Sequence, residues 1–597
     1  MAQITPPPPL STSSPGGVNY RTGAYSYSDV DLSIGGSGEQ GLSLTRTYNS
    51  AIEVPSDIYM GARGWTHSLQ GYVSAARIPI GPGEEPPLPG RESYVYTVTI
   101  GGRSATFQGG SRYVPNKTTT GGPVGDYYAT SNSNTTLVFN GTTGAGYYTF
   151  TDSDGTIVNF RAGAGGYISN LTMPNGTRWD WTYGGDARIK SVISNRGWAI
   201  LFDGYTSACA VNMASVYITA TSTCPANAQT VSYTYTAGSY NSSAKLLVSA
   251  TKAGEATTYT YTGADHLGCM KLPGQSVCAI QNIYFACPND PANSYPVQPS
   301  VRAKDPVVSQ TDAGGRTTSY AYATNMQAVS NNNLYVCGSH NGDPDYWTGL
   351  SSNTHLSTNY GTSRDVLVSP GSNDATIFDE IGRTFRIGQS SFGLDSVTYP
   401  EGNEVLTLRD LQGKALTQKL IPKPGSGLGV QEGVISYPTS CPNPKVCGKP
   451  DYVVDPNGNR TDFTYDPNHG GVLTATGPAV NGIRPQTRYS YAQRHAWIRN
   501  NAGGFAQATT PVWLLVEERR CRTTAAAGNG CTGGAADEVV TSYDYGPSTG
   551  AAGNNLLLRG TVVTTQDAGS QRRCFGYDDQ GNQIWEASPR AGLAGCY

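Results

Sequence analysis

The residues best suited to covalent chemistry are the twelve cysteines, and their spacing sorts them. Cys209 and Cys224, Cys441 and Cys447, and Cys521 and Cys531 are near neighbours across turn-rich stretches, and Cys441-Pro-Asn-Pro-Lys-Val-Cys447 reads as a loop pinched at its base. An even count with such local pairs predicts disulfides and an oxidising location, with free buried thiols as the bland alternative. The partners of Cys269, Cys278, Cys287, Cys337, Cys574 and Cys596 are left open. His266 with Cys269, Cys278 and Cys287 offers a His/Cys₃ donor set, but successive cysteines separated by eight residues fit no common zinc module, so no metal is expected there.

Other motifs are weaker. Gly36-Ser37-Gly38-Glu39-Gln40-Gly41 has dinucleotide-loop spacing, yet a strand pattern, Leu42 to Tyr48, follows where a helix would have to present its N-terminus to a pyrophosphate. Asp152-Ser153-Asp154-Gly155 and Asn341-Gly342-Asp343-Pro344-Asp345 resemble pieces of calcium loops without the bidentate acid that completes one. His67, His266, His340, His355, His469 and His495 form no metal pair. Paired carboxylates for glycoside hydrolysis are recognised only by their separation in space. The sequence therefore predicts no catalytic residue, no cofactor and no metal.

The elements that would position any such group are short strands between tight turns. Asp455-Pro456-Asn457-Gly458-Asn459 supplies a proline preset for a turn and a glycine free to adopt positive φ. Arg460 to Tyr465 then alternates as a strand. The phrase recurs at Asp312 to Gly315, Asp379 to Gly382 and Asp578 to Gly581, and more weakly at Asp152, Pro174, Glu401 and Asp410. A recurring hairpin unit signals architecture before chemistry. No stretch holds helical spacing over a dozen positions, so the expected class is all-β with very little helix.

This repeat resembles the tyrosine–aspartate (YD) repeat of Rhs proteins, of the C component of insecticidal toxin complexes and of teneurins. Val18 to Ile34, followed by Leu42 to Ser50, is similar to the segment that opens the repeat region of bacterial Rhs proteins. The resemblance implies a spiralling antiparallel β-sheet, a partial shell, and it suggests that Gly64 to Leu69 packs as a corner of the opening module. In the family the shell encloses a C-terminal toxin or forms an adhesion scaffold. The core's self-cleavage motif and a toxin are not recognisable here.

On this reading residues 1–17 are a Pro/Ser-rich tail, 18–75 an Rhs-type β module, 76–306 divergent hairpin repeats and 307–597 YD-repeat shell. Pro79 to Gly90, residues 286–306, 423–450 and 523–537 read as connections. With 14% charged residues, 74 glycines, 39 tyrosines and a net charge of −3, the chain is too aromatic for disorder and lacks the basic stripe a nucleic-acid partner needs. No segment reaches the roughly 18 apolar residues of a membrane span. Met1 to Pro9 shows neither part of a signal peptide, so the export route stays open. A wall of about 5,000 Å² is marginal against the roughly 6,000 Å² needed around a 100-residue cargo. The expectation is a non-enzymatic, bacterial, secreted or cell-surface structural protein. It would self-associate through sheet edges and the N-terminal tail, by a heterologous contact that makes a fibre. A toxin-encapsulating shell part and a glycan-binding adhesin are the alternatives.

Overall fold

The computed structural model describes residues 13–19, 23–52, 62–77, 94–101, 103–109, 126–129, 135–140, 146–161, 166–239, 245–284, 306–324, 351–358, 363–368, 375–378, 383–390, 393–410 and 414–596. Among these the protein is almost entirely antiparallel β, with one four-residue α-helix, Pro444–Cys447, and three short 3₁₀ turns. Three strands, β1 (Ser26–Ile34), β2 (Leu42–Asn49) and β3 (Trp65–His67), form a small sheet of their own. From β4 (Gly71–Arg77) to Gln583–Ala587 a second sheet runs as one continuous ladder. Its strands pair in chain order, and its first and last members each have a single ladder partner, so it is an open, wound wall and not a closed barrel.

Alternation builds the wall. Along Gln229–Ala237 and Glu255–Tyr261, Val231, Tyr233 and Tyr259 are buried on one face, while Ser232, Thr234 and Thr258 are exposed on the other. The hydroxyl face is laced across strands: Thr234 Oγ1 lies 2.6 Å from Ser249 Oγ, and Thr464 Oγ1 lies 2.7 Å from Thr474 Oγ1. Each such pair contributes about 0.2–1 kcal/mol. Where the chain must leave the ladder it extrudes a satellite hairpin. Gln486–Arg494 pairs directly with Val512–Cys521, and Trp497–Arg499 with Phe505–Gln507 stands outside.

Winding brings distant hairpin tips together. Trp513 N–H donates to the Asn175 carbonyl at 2.7 Å, Asn195 Nδ2 to Thr510 Oγ1 at 2.9 Å, and Arg499 N–H to the Met213 carbonyl at 2.8 Å. Asn212 Nδ2 donates to the Asp579 carbonyl at 3.0 Å, and Asn555 Nδ2 to that of Gly197 at 2.9 Å. The seam between early and late repeats is thus made by turn residues together with the strand residues Asn212, Arg499 and Trp513. At the start of the ladder, β4 is covered: Val73 N–H donates to the Gly166 carbonyl at 3.0 Å, and Tyr72 bridges Tyr167.

The N-terminal sheet lies on the aromatic face of the wall. Leu32, Ile34, Leu42, Leu44, Tyr48 and Trp65 share one core with Tyr233, Leu247, Tyr259, Val307 and Tyr320. Residues 13–17, read from sequence as the end of a tail, are tied into this layer. Tyr320 Oη donates to Ser14 Oγ at 3.0 Å and Gln310 Nε2 to the Gly16 carbonyl at 3.0 Å. Two connections are corrected: in residues 423–450 Gln431–Ser436 is a ladder strand bonded to Ala415–Ile421 and Tyr452–Val454, with the helix Pro444–Cys447 following, and in 523–537 Ala526–Ala527 pairs with Gly530–Cys531 before the 3₁₀ turn Ala535–Asp537. Residues 79–90 and 286–305 lie outside the described residues.

Candidate functional site

A cluster of four charged side chains sits between the two layers. Asp29 on β1 faces Arg46 on β2 in register. Arg46 is fully buried, with Nη2 3.1 Å from Asp29 Oδ2 and 3.1 Å from Asp31 Oδ1, and its guanidinium lies 5.1 Å from the Trp65 ring centroid and 5.3 Å from that of Tyr259. The wall answers with two groups: Lys252 Nζ, 2.8 Å from Asp29 Oδ2, and the Tyr233 hydroxyl, which donates to Asp31 Oδ2 at 2.6 Å. Trp65 Nε1 donates to Tyr261 Oη at 2.9 Å.

Burial pushes the Asp31 carboxyl above its ordinary range against the pull of Arg46 and Tyr233. It pushes the Tyr233 hydroxyl far up, with the Asp31 charge adding to the effect. Burial alone pulls His67, the register partner of Arg46 on β3, down to about 4. A neutral His67 accepts from Leu69 N–H through Nδ1 at 3.2 Å. Arg46 and Asp31 are inaccessible, while Asp29 and Lys252 reach the edge of the cluster; its charges pair the two layers, although Arg46 Nε and Nη1, Asp31 Oδ1 and the Tyr259 hydroxyl have no hydrogen-bond partner among the described residues.

The cysteines resolve into bonds. Cys209–Cys224, Cys441–Cys447 and Cys521–Cys531 are joined, with Cα separations of 5.9, 5.1 and 5.6 Å. So are Cys269–Cys278 and Cys574–Cys596. Bonding of Cys269 to Cys278 removes two thiolates from the candidate zinc set, and Cys287, like Cys337, lies outside the described residues. Cys521, Cys531 and Asp537 converge, but both sulfurs are spent on each other. The Asp537 carboxylate takes hydrogen bonds from the hydroxyls and amides of Thr524 and Thr523, which hold it down at about 2.

The repeat turns share one geometry. Gly458 donates its N–H to the Asp455 carbonyl, and Gly315 and Gly581 do the same to Asp312 and Asp578, each glycine at φ near +80°. The aspartate carboxylates accept the amide protons beyond: Asn457 and Asn459 at Asp455, Gln580 and Asn582 at Asp578, Gly314 and Arg316 at Asp312. These are three-residue hairpin loops whose positive φ requires glycine. Asp379 and Gly382 lie outside the described residues, as does the segment Asn341 to Asp345. Asp154 of the other calcium-like fragment caps Thr156 N–H in a turn. Gly38–Gln40 forms one 3₁₀ turn before β2, so the glycine-rich loop has no α-helix for a phosphate.

Two features escaped sequence reasoning. Gly546-Pro547-Ser548-Thr549-Gly550 has nucleophile-elbow spacing, but after Glu538–Asp544 it runs through bends into coil without a helix, and Ser548 is exposed. The Asp29–Arg46–Asp31 cluster was passed over because charges alternating along a strand look like a solvent face; the signal was the opposite charge of Arg46, expected opposite Asp29 once β1 and β2 are paired.

No protein-family model matches the chain, and no curated protein matches it. Among solved structures, the crystal structure of TcdB2-TccC3 aligns at a TM-score of 0.28 and 9% identity, over 90% of this chain and 28% of that one. The Photorhabdus luminescens Tc holotoxin pore with the TccC3-D651A mutation aligns at 0.26 and 9%, over 92% and 27%. The N-terminal domain of the effector SpvB from Salmonella typhimurium strain LT2 aligns at 0.18 and 11%, over 43% and 95%. The chain thus spans little more than a quarter of the first of these structures. Among the described residues no helix is long and apolar enough to cross a membrane.

Proposed function

We propose that the protein is a non-enzymatic, exported wall: a wound YD-type sheet that acts by shape, as part of an Rhs-like shell, with the N-terminal sheet sealing one of its faces. The observation that carries this reading is the docking of hairpin tips 175–213 onto tips 499–580, which makes successive repeats support one another as a continuous surface. The buried ion cluster supports it as well, since it locks the opening module to the wall. The five intrachain disulfides among the described residues fit an oxidising destination.

The shell reading is preferred to a fibre because residues 13–17 of the tail are engaged by Gln310 and Tyr320 of the same chain. Negative-stain electron microscopy with light scattering tests the choice. Monodisperse curved or hollow particles are expected, unchanged by dilution. Filaments with an axial repeat would overturn the shell reading and restore the fibre.

A further inference from the structure

We propose that a cavity of about 430 Å³ on the late wall is a carbohydrate-binding site. It opens where the segment 437–450 leaves the ladder between Gln431–Ser436 and Tyr452–Val454, and it is lined by Asp410, Lys414, Thr417, Ser436, Tyr437 and Tyr452 among others. Its volume falls within the roughly 300–1,000 Å³ of small-ligand sites.

The lining selects the ligand class. Two tyrosine rings border the space, and each is held from one side by a cation: Arg460 Cζ lies 3.8 Å from the Tyr452 centroid, and Lys414 Nζ lies 5.1 Å from that of Tyr437. A tyrosine face left clear by its cation is flat and apolar, and the C–H face of a pyranose stacks on a surface of that kind. Around them stand a carboxylate, an ammonium and the hydroxyls of Thr417 and Ser436, a mixed set that matches vicinal hydroxyls, which both donate and accept. A phosphate ligand would need surplus positive charge, and Asp410 offsets Lys414. A neutral sugar with one apolar face suits a lining of this mixed kind, since its hydroxyls can join hydrogen-bonded groups that keep spare lone pairs and protons.

The site is also built to stay open. Lys414 Nζ donates to the Cys447 carbonyl at 3.1 Å, so the loop closed by Cys441–Cys447 and the Asp410 turn hold each other. Asp410 Oδ1 accepts Lys414 N–H at 2.8 Å, which fixes the carboxylate at the rim. The inference does not depend on the shell reading.

Saturation-transfer-difference NMR on the full chain, with glucose, galactose, mannose, N-acetylglucosamine and their β-linked disaccharides at millimolar concentration, tests it. Transfer to the ring protons of at least one sugar is expected. Loss of a charge-assisted hydrogen bond predicts at least about tenfold weaker binding in Asp410→Asn, which keeps the oxygen that Lys414 N–H requires. Tyr437→Ala abolishes the signal, while Trp585→Ala, an exposed aromatic elsewhere, leaves it intact. Silence from every sugar overturns the site, as does transfer that survives Asp410→Asn and Tyr437→Ala or that disappears in Trp585→Ala.

Discussion

The Tyr233 hydroxyl, on a strand of the wall, donates a 2.6 Å hydrogen bond to Asp31 Oδ2 in the N-terminal sheet. Both groups are buried; burial pushes the Asp31 carboxyl up, and Arg46, 3.1 Å away, is the first of the groups that pull it back down. Such a cluster is unforgiving: removing one partner leaves the other's charge in a low-dielectric site.

Arg46→Ala is therefore expected to cost about 3–5 kcal/mol. Tyr233→Phe, which deletes one oxygen, is expected to cost about 1–3 kcal/mol. Lys252→Ala should lie within about 1 kcal/mol, because that ammonium is a third exposed and solvent screens it. Urea unfolding measures the series, and limited proteolysis between residues 50 and 70 reports whether the N-terminal sheet lifts first. An order in which Lys252→Ala matches Arg46→Ala would refute the role given to the buried pair.

His67 gives the protein an acid limit. Its folded pKa, about 4, lies below the ordinary 6.5 because burial penalises the cation. Between those values the unfolded chain binds a proton that the native state refuses, so stability falls as pH drops from about 6.5 to about 4 and levels off below. At about 1.4 kcal/mol per pH unit the window is worth about 3 kcal/mol. His469, also pulled down by burial, adds a smaller loss of the same sign. His67→Gln retains an acceptor for Leu69 N–H and cannot titrate. Its pH profile between 4 and 6.5, followed by urea midpoints, should be flatter than the parent's by about that amount; identical slopes would show that His67 is not the acid-sensitive group.

Much of the wall is legible in the sequence because its rules are local. Asp455-Pro-Asn-Gly458 carries its own turn geometry, and Thr257 to Thr262 carries its own alternation, so hairpins are read without knowing their neighbours. The strand Gln431–Ser436 was hidden by flanking glycines and prolines that mimic a loop. The seam was invisible because Asn175, Asn195 and Asn555 look like ordinary turn residues, and only winding shows that they bond to distant parts of the chain. The cavity was illegible for a related reason: Asp410 and Tyr437 meet only through the register of Ala415–Ile421 on Gln431–Ser436, and Cys441 of the pinched loop completes the lining.

The repeat glycines separate a local requirement from a seam requirement. Gly458 and Gly581 both sit at φ +80°, so an alanine at either carries a left-handed strain of about 1–2 kcal/mol. Around Gly458 a β-carbon meets open space, whereas at Gly581 it would stand 2.8 Å from Gly35 Cα and 3.2 Å from the Trp198 ring. Gly35 N–H donates to the Gln580 carbonyl at 2.7 Å, so the clash would force the two backbones apart and break that bond. Neither backbone is a flexible end that can swing away, and overpacking adds about 1–3 kcal/mol to the strain. Gly581→Ala should therefore be clearly less stable than Gly458→Ala in parallel urea melts, with increased cleavage near Gly35. Equal losses at the two positions would mean that the last repeat does not bear on the N-terminal sheet.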